Sequence, residues 1–256
     1  MRLSVLKIGG NVINNPAALH EALDYFAALV EPAVLVHGGG RKASQVLTEM
    51  GRQPVLIDGR RVTDEATLEI VTMVYAGLLN KNVVAQLQGR GCNAIGLSGA
   101  DANAVLANKR PAGNIDYGFA GDVRAVNGPL LEQLLRLGLR PVLCPITHDN
   151  HGQLLNTNAD TIANETARAL AAAGFTVSLR YCFELPGVLT DIDDPESVLP
   201  ELTPDTYAAY RADGTIAGGM LPKLDNAFAA VAAGVAEVVI GDLRALRGGR
   251  GTRLRE

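Results

Sequence analysis

The feature that most constrains the fold of this chain is the alternation of short apolar runs with stretches that have the period of a helix. The predicted strands are residues 4–8, 33–36, 94–97, 141–145, 176–182 and 237–240. The predicted helices are residues 16–30, 43–50, 64–88, 128–137, 159–173 and 219–233. The alternation predicts an α/β fold, a three-layer sandwich in which an open, mostly parallel sheet carries helices on both faces. Ligands of such folds bind at the carboxyl ends of the strands.

Two segments, residues 53–62 and roughly 105–126, interrupt this alternation. Both contain glycines and mix polar with apolar residues, which is typical of hairpins that project from a sheet. Projecting loops of this kind often cover a substrate. No internal repeat, low-complexity tract or linker is visible in the sequence, which favours a single domain over residues 1–256.

The predicted helix over residues 64–88 is the longest, and apolar residues such as Ile70, Val74, Leu78 and Val83 occupy several of its faces. A helix that is apolar on more than one side is buried on more than one side. Packing within one chain and packing against a second copy both account for this pattern. We therefore keep two expectations for this helix: a homodimer interface, or burial within one chain.

Glycine-rich strings follow the first two predicted strands. They read KIGGN over residues 7–11 and VHGGGRKAS over residues 36–44. Glycine lets a backbone approach a ligand closely, and N–H groups at the start of a helix attract anions. Neither string has the residues of a Walker A loop or of a GxGxxG motif. Each string alone is equally consistent with an ordinary strand-to-helix turn, but two of them, with Lys7 ahead of one, favour an anion site.

Composition excludes several other classes of protein. The chain has 256 residues, 48% of them hydrophobic, and a formal net charge of −4. It can bury a large core, while its overall charge is unfavourable for binding nucleic acid or a membrane surface. Cys92, Cys144 and Cys182 lie in apolar runs without a CxxC motif, so we expect buried free thiols. The Ala-rich run 227–236 is too short to span a bilayer, and Lys7 interrupts any signal peptide. We expect a soluble, cytoplasmic protein.

Three further strings complete a recognisable set: GRRVTD over residues 59–64, LLNTNAD over 154–160 and GGMLPK over 218–223. In order and spacing, these strings and the two glycine strings resemble the amino acid kinase family, and within it the subfamily of N-acetyl-L-glutamate kinases. RVTD and NTNAD distinguish this subfamily from aspartate, carbamate and uridylate kinases. The resemblance covers essentially the whole chain, from Lys7 to Thr252.

The resemblance implies an open sheet sandwiched by helices and an enzyme that uses ATP. The γ-carboxylate of N-acetyl-L-glutamate would attack the γ-phosphoryl group to give N-acetyl-L-glutamyl 5-phosphate and ADP, the second step of arginine biosynthesis. Residues up to about 174 would bind the acylglutamate and dimerise, and residues from about 175 to 256 would bind ATP. A carboxylate is already a nucleophile at neutral pH, so catalysis consists of aligning two anions and offsetting their charge.

The resemblance also implies roles for individual residues. Asp160 would hold the ammonium groups of two catalytic lysines in place. We favour this role over that of a helix cap or a first-turn acid because the two lysines need such a group. Arg61 would grip the α-carboxylate of the substrate, and Arg60 would be a surface residue. The implied catalytic residues are Lys7, Lys223 and Asp160; the substrate-binding residues are Gly39, Gly40, Arg61, Asn156 and Asn158; and the residues that contact ATP are Gly9, Gly10, Gly187 and Gly219.

ATP implies Mg²⁺, but no paired-carboxylate motif stands out in the sequence, so we expect the phosphates and water to hold the metal ion. Asp191, Asp193 and Asp194 belong to a loop that we expect to be solvated, and His37 is expected to shape the glycine turn. No residue is assigned as a metal ligand.

Departures from the family pattern keep several alternatives open. Phe183 and Glu184 replace the usual residues beside the adenine pocket, so the residues that contact adenine are unassigned. The string GFAGDV over residues 118–123 occurs in relatives whose acyl group is succinyl rather than acetyl. Three alternatives therefore remain. The acceptor is N-succinyl-L-glutamate, or the chain is another amino acid kinase such as glutamate 5-kinase, or it is a non-catalytic regulatory module. Arginine-inhibited relatives carry an additional helix before the first strand, for which Lys7 leaves no room, so we expect a dimer that is insensitive to arginine.

Overall fold

The structure is a computed structural model in which residues 1–57, 59–218 and 220–256 are described. The helices are α1 (Gly10–Asn14), α2 (Pro16–Ala27), α3 (Gly40–Glu49), α4 (Glu65–Thr72), α5 (Asn80–Gln88), α6 (Gly128–Arg136), α7 (Ala159–Ala172), α8 (Pro204–Ala212), α9 (Met220–Ala232) and α10 (Leu243–Arg247). The strands are β1 (Arg2–Ile8), β2 (Ala33–His37), β3 (Leu56–Ile57), β4 (Arg60–Arg61), β5 (Ala94–Leu97), β6 (Val105–Lys109), β7 (Ala120–Val126), β8 (Arg140–Leu143), β9 (Ile146–His148), β10 (Leu154–Thr157), β11 (Thr176–Cys182), β12 (Glu201–Leu202), β13 (Glu237–Gly241) and β14 (Thr252–Leu254).

The main sheet has eight strands in the order β12-β14-β13-β11-β1-β2-β8-β5. The pair β13 and β14 is antiparallel, and every other neighbouring pair in this sheet is parallel. All six predicted strands lie in this sheet. The prediction of a mostly parallel sheet is confirmed.

Alternating side chains of the central strands enter two separate cores, one on each face of the sheet. Leu3 and Val5 of β1 pack into the first core together with helical residues such as Leu131 and Ile162. Leu6 and Ile8 point to the opposite face, where the helices that cover them contribute side chains such as Leu23, Leu47 and Leu87. This alternation follows from the period of two along a strand. The predicted three-layer sandwich is therefore confirmed.

Register within the sheet brings three turns to one edge. Ile8, at the end of β1, is paired with His37 of β2 on one side and with Cys182 of β11 on the other. Because these three strands are parallel, the segments that follow them leave the sheet side by side. The two glycine strings and the segment beginning at Phe183 thus meet at the carboxyl edge.

Both predicted hairpins are present, but the second has a different setting from the one expected. Strands β3 and β4 form a short antiparallel hairpin, as predicted. Strands β6 and β7 are also antiparallel, yet they join β9 and β10 in a small closed four-stranded sheet of order β10-β7-β6-β9. The sequence analysis missed β9 and β10, and it placed the end of β8 at Pro145. In the structure β8 ends at Leu143, and β9 begins at Ile146.

The long helix predicted over residues 64–88 contains a π-helical stretch, Met73–Leu79, between α4 and α5. Val74, Leu79 and Val83 are buried within the chain, whereas the side chains of Met73 and Leu78 are 56% and 45% exposed. Packing within one chain accounts for most of the apolar faces of this helix. Its role in a dimer stays a prediction.

The sequence predicts that the three cysteines are buried free thiols, and the structure confirms this. Cys92, Cys144 and Cys182 are buried, and burial raises the pKa of the Cys144 thiol to about 12. Among the described residues, no helix has both the length and the apolar character needed to cross a bilayer.

Candidate active site

A cavity of about 620 Å³ opens at the carboxyl edge of β1, β2 and β11. Five cationic side chains line it, and two carboxylates accompany them, in a chain whose formal net charge is negative. Such a local concentration of positive charge suits an anionic ligand. The charged residues of the cavity wall are Lys7, Arg41, Arg60, Arg61, Lys223, Asp160 and Glu184.

Lys7 and Asp160 form a buried ion pair at the centre of the cavity wall. The distance from Lys7 Nζ to Asp160 Oδ1 is 2.6 Å, and the two side chains are 9% and 16% exposed. Burial alone would raise the pKa of the Asp160 carboxyl, but Lys7 and then Lys223 hold it below its ordinary value. Asp160 is therefore ionised at neutral pH, and its charge offsets those of the Lys7 and Lys223 ammonium groups. Its role as the organiser of the two lysines stays a prediction.

Lys223 reaches the same point from α9. Its Nζ lies 5.0 Å from the centre of the Phe183 ring, within the range of a cation–π interaction. Burial lowers the pKa of the Lys223 ammonium, Asp160 opposes this change, and Lys7 adds to it. Phe183, which the sequence analysis noted only as a departure from the family pattern, thus contacts the Lys223 ammonium through the face of its ring.

The first turn of α7 separates the roles of Asn158 and Asp160. The Oδ1 atom of Asn158 accepts hydrogen bonds from the N–H groups of Asp160 at 2.7 Å and Thr161 at 3.2 Å, so Asn158 caps the helix. This leaves the Asp160 carboxylate free to pair with Lys7. Asn158 also lines the cavity, and because its oxygen is engaged by the cap, any bond to substrate must come from its amide nitrogen.

The two glycine turns lie side by side in the cavity wall. A Cβ placed on Gly10 would lie 3.8 Å from the Gly40 nitrogen and 3.9 Å from the Gly39 nitrogen. The hydrogen bonds of the described residues leave the N–H groups of Gly39 and Gly40 without an acceptor in the chain. The Gly9 N–H, in contrast, donates to the Cys182 carbonyl at 3.2 Å, and contact of Gly9 with ATP stays a prediction.

Glycine is required at position 39 for two reasons. Its φ angle is +157°, which side chains of L residues rarely adopt. In addition, a Cβ there would lie 2.4 Å from Leu79 Cδ1 and 3.0 Å from Tyr75 Cδ1. The π-helical stretch therefore packs directly on the turn that presents the free N–H groups.

Arg61 is 6% exposed and lines the cavity. Its Nη2 atom donates to the Gly40 carbonyl at 2.9 Å and to Ser44 Oγ at 2.8 Å. Within the described part of the chain, its Nε and Nη1 atoms are buried without a hydrogen-bond partner. Buried donors of a guanidinium require an acceptor, and a carboxylate fits their planar geometry.

Asn156 is held close to Arg61 through Thr63. The Asn156 amide nitrogen donates to Thr63 Oγ1 at 3.0 Å, and Thr63 Oγ1 donates to the Arg61 carbonyl at 2.9 Å. Asn156 lines the same cavity from β10. The strings RVTD and NTNAD are thus joined in space by one chain of hydrogen bonds.

Three further expectations about individual residues have different outcomes. Arg60 is half-buried and lines the cavity, so its assignment to the surface is corrected. Gly187 lies away from the cavity lining, and a Cβ on it would come within 2.6 Å of Val198 Cγ1 and 2.8 Å of Thr252 Oγ1. Close packing explains this glycine, and its contact with ATP stays a prediction. Gly219 lies outside the described residues.

Sequence reasoning missed Ser44, Thr63 and Tyr75 as parts of this site. Ser44 and Thr63 are the hydrogen-bond partners described above, and Tyr75 lines the cavity beside Gly39. The strings VHGGGRKAS and RVTD both contain such a hydroxyl residue. A buried Arg61 needs nearby acceptors, and the hydroxyl of Ser44 in the string VHGGGRKAS was a signal in the sequence for such a partner.

Replacing Arg61 with lysine is expected to raise the KM for the acceptor substrate about 10- to 100-fold, because one ammonium cannot supply the planar pair of donors. The dissociation constant for an ATP analogue should change little. The control is Arg52→Lys, the same substitution at a residue that is ion-paired with Asp64 and lies outside the cavity lining. Equal KM values for the two variants would contradict a role of Arg61 in binding the acceptor substrate.

Comparison with known proteins identifies the family of this chain. The model of the amino acid kinase family matches residues 2–242. A protein named acetylglutamate kinase from Bacteroides thetaiotaomicron is 51% identical over 255 residues, which is 100% of this chain and 99% of that protein. One of the same name from Cytophaga hutchinsonii is 54% identical over 93% of this chain and 90% of its own length. A solved structure from Streptococcus mutans is 28% identical with a TM-score of 0.82, covering 98% of each chain. The chain therefore belongs to the amino acid kinase family.

Proposed function

We propose that this protein transfers the γ-phosphoryl group of ATP to the γ-carboxylate of N-acetyl-L-glutamate. The observation that carries the proposal is the cluster of Lys7, Asp160 and Lys223 in the wall of a cavity that also holds free N–H groups and a buried arginine. The relatives that match the whole chain at about half identity bear the name of this activity.

In this reaction the acceptor carboxylate is itself the nucleophile, so no general base is required. The two reactants are anions, and bringing them together requires positive charge on both sides of the transferred group. Lys7 supplies it from the sheet and Lys223 from α9, while Asp160 keeps the two ammonium groups at fixed positions. The N–H groups of Gly39 and Gly40 add donors that are fixed by the main chain.

The acceptor lies on the side of β2 and the small closed sheet. The unpartnered Nε and Nη1 atoms of Arg61 bind the α-carboxylate, and Asn156 and the amide nitrogen of Asn158 bind the acylated amino group. We assign residues up to about 174 to this acceptor side and to dimerisation, and residues from about 175 to 256 to the side that binds ATP. The long helix with exposed Met73 and Leu78 is the proposed dimer contact.

ATP acts as its magnesium complex in this proposal. Asp160 and Glu184 are the carboxylates of the cavity wall, and Asp160 is already paired with Lys7. The described residues contain no cluster of three or more His, Cys, Asp or Glu side chains that could hold a metal ion. This donor set fits a metal ion that is held by phosphate oxygens and water, with at most one protein carboxylate. Bound there, Mg²⁺ supplies further charge neutralisation on the phosphates.

The test is ADP release in the presence of ATP and each of four acceptors: N-acetyl-L-glutamate, N-succinyl-L-glutamate, L-glutamate and L-aspartate. We expect release with N-acetyl-L-glutamate, trapping of the acyl phosphate by hydroxylamine, and no release with the free amino acids. If no acylated glutamate raises ADP release above the rate without acceptor, the proposed function is wrong.

One observation favours N-succinyl-L-glutamate as a second candidate acceptor. Arg60 and Arg41 line the cavity in addition to Arg61, and a succinyl group carries a carboxylate that an acetyl group lacks. Under this alternative, Arg60→Lys raises the KM for N-succinyl-L-glutamate and leaves the KM for N-acetyl-L-glutamate unchanged. A kcat/KM for the acetyl compound that equals or exceeds that for the succinyl compound argues against it.

A further inference from the structure

A chain of buried polar groups lies directly behind the glycine turn of residues 38–40, outside the cavity lining. His37, at the end of β2, and Asn80, at the start of α5, are 0% and 1% exposed. The Asn80 amide nitrogen lies 3.2 Å from His37 Nε2, and His37 Nδ1 lies 2.7 Å from the Gly38 carbonyl oxygen. Neither residue has a part in the mechanism described above.

The orientation of the Asn80 amide follows from its neighbours. Lys81 Nζ, which can only donate, contacts one amide atom of Asn80 at 3.1 Å and the Gly96 carbonyl at 3.0 Å. The atom it contacts must therefore be the oxygen, Oδ1. The opposite atom is then the nitrogen Nδ2, and it donates to the Val142 carbonyl at 3.0 Å as well as towards His37.

This orientation in turn determines the state of His37. Nε2 faces an amide N–H and must accept, so it carries no proton. Nδ1 faces a carbonyl oxygen, which only accepts, so it must carry the proton and donate it to Gly38. Lys81 is the charged group that faces His37 among the described residues, and burial lowers the pKa of the imidazole to about 4. His37 is thus neutral and protonated on Nδ1.

The state of His37 determines the direction of one N–H group in the active site. In a trans peptide the C=O and the N–H point in opposite directions. When the Gly38 carbonyl points to His37, the N–H of Gly39 in the same peptide points away from it. It therefore points towards Gly10 and the cavity, where it has no acceptor in the described part of the chain.

The surrounding structure accommodates this network closely. A Cβ on Gly96 would lie 2.0 Å from Asn80 Oδ1, so the amide occupies the space that any other residue at position 96 would need. The π-helical stretch Met73–Leu79 ends immediately before Asn80 and packs Tyr75 and Leu79 on Gly39. π-Helical stretches in α-helices are frequent at functional sites.

We propose that His37 and Asn80 are positioning residues that hold the Gly38–Gly39 peptide so that the Gly39 N–H donates to the anion undergoing phosphoryl transfer. The proposal rests on the proposed function for the identity of that anion. Its geometric part, the neutral His37 protonated on Nδ1, is independent of the substrate.

Two substitutions of His37 separate positioning from packing. In His37→Asn the amide nitrogen takes the place of Nδ1 and keeps the bond to the Gly38 carbonyl, while in His37→Gln the amide reaches the place of Nε2 and loses that bond. Loss of one donor that stabilises a transition state costs about 100-fold in kcat. We expect kcat within about fivefold of wild type for His37→Asn and about 30- to 100-fold lower for His37→Gln, with similar KM values.

Packing alone predicts the reverse order, because asparagine leaves the larger void in the core. A kcat for His37→Gln that equals or exceeds that of His37→Asn would overturn the proposal. Thermal unfolding of both variants shows whether they remain folded at the assay temperature.

Asn80→Asp provides a second variant of almost unchanged shape and a readout in pH. The introduced carboxylate cannot donate to Nε2, so it keeps a proton there and raises the pKa of the imidazole. As pH rises through that pKa, the imidazolium loses the Nδ1 proton and the Gly38 carbonyl loses its donor. We expect kcat of this variant to fall with rising pH between about 6 and 8, where wild type shows no such change. A loss that is independent of pH would contradict the proposal.

The protonation state of His37 can be measured without turnover. In protein with ¹⁵N-labelled histidine, two-bond ¹⁵N–¹H correlation spectra distinguish the two neutral forms, and His37→Asn identifies its signals among the four histidines. We expect wild-type His37 to be protonated on Nδ1 between pH 6 and 8. Protonation on Nε2 would overturn the inference even in an active enzyme. An inactive wild type with His37 protonated on Nδ1 would instead overturn the proposed function.

Discussion

Lys7→Met is expected to reduce kcat about 1,000-fold, the upper end of the range for loss of one transition-state donor, because it removes a full charge as well. Methionine preserves most of the length and the apolar stem of the side chain. Lys7 Nζ lies 2.6 Å from Asp160 in the wall of the cavity, where low exposure strengthens its interaction with a transferred phosphoryl group. The measurement is steady-state ADP release with N-acetyl-L-glutamate.

Two controls separate this effect from general damage. Lys42→Met changes a lysine of α3 whose Nζ is bonded to the exposed Gln45, and its kcat should match that of wild type. The double variant Lys7→Met with Asp160→Asn restores charge balance in the buried pair. If the double variant regained wild-type kcat, Lys7 would serve only to neutralise Asp160, and its catalytic role would be refuted.

Asp160→Asn is expected to reduce kcat about 100-fold while leaving α7 intact, because Asn158 and not Asp160 caps that helix. The substitution retains the shape of the side chain but removes the charge that lies between Lys7 and Lys223. The two ammonium groups then repel each other and lose their fixed positions.

The Asp160→Asn substitution is also expected to change how kcat depends on pH. Burial lowers the pKa of Lys223 and Asp160 opposes that change, so loss of the carboxylate lowers this pKa further. The proposed reaction uses protonated Lys223, so the alkaline decline of kcat should begin at a lower pH than in wild type. Asp205→Asn, which removes an exposed first-turn acid of α8, is the matched control and should leave the profile unchanged. A variant profile that coincides with that of wild type would exclude coupling between Asp160 and Lys223.

Local sequence patterns predicted the layers of the fold well. The predicted strands 94–97 and 176–182 have the observed bounds, and the helix predicted over residues 128–137 ends one residue earlier in the structure. The predictions for these segments are accurate because burial on one or both faces determines their pattern of apolar residues. The helix α1 (Gly10–Asn14) was missed because five residues give too short a period to recognise.

Features that depend on distant partners could not be predicted in this way. The Gly9 N–H is engaged by the Cys182 carbonyl, and Arg61 is bonded to Ser44, which is 17 residues away in the sequence. The π-helical stretch packs on the glycine turn, and no pattern in its sequence distinguishes it from the α-helix predicted there. The resemblance supplied the identities of the charged residues, whereas their actual contacts required the structure.

The parallel pairing of β1 with β2 and β11 has a consequence for how such an active site can diversify. Neighbouring strands in a sheet are about 4.8 Å apart, so the turns that follow β2 and β11 are separated by about 10 Å, with β1 between them. Main-chain hydrogen bonds maintain this separation, and side-chain substitutions leave it unchanged. Under the proposed function, changes in Arg60, Arg61 or the hairpin β3–β4 therefore alter which acceptor is bound without altering the distance over which the phosphoryl group moves.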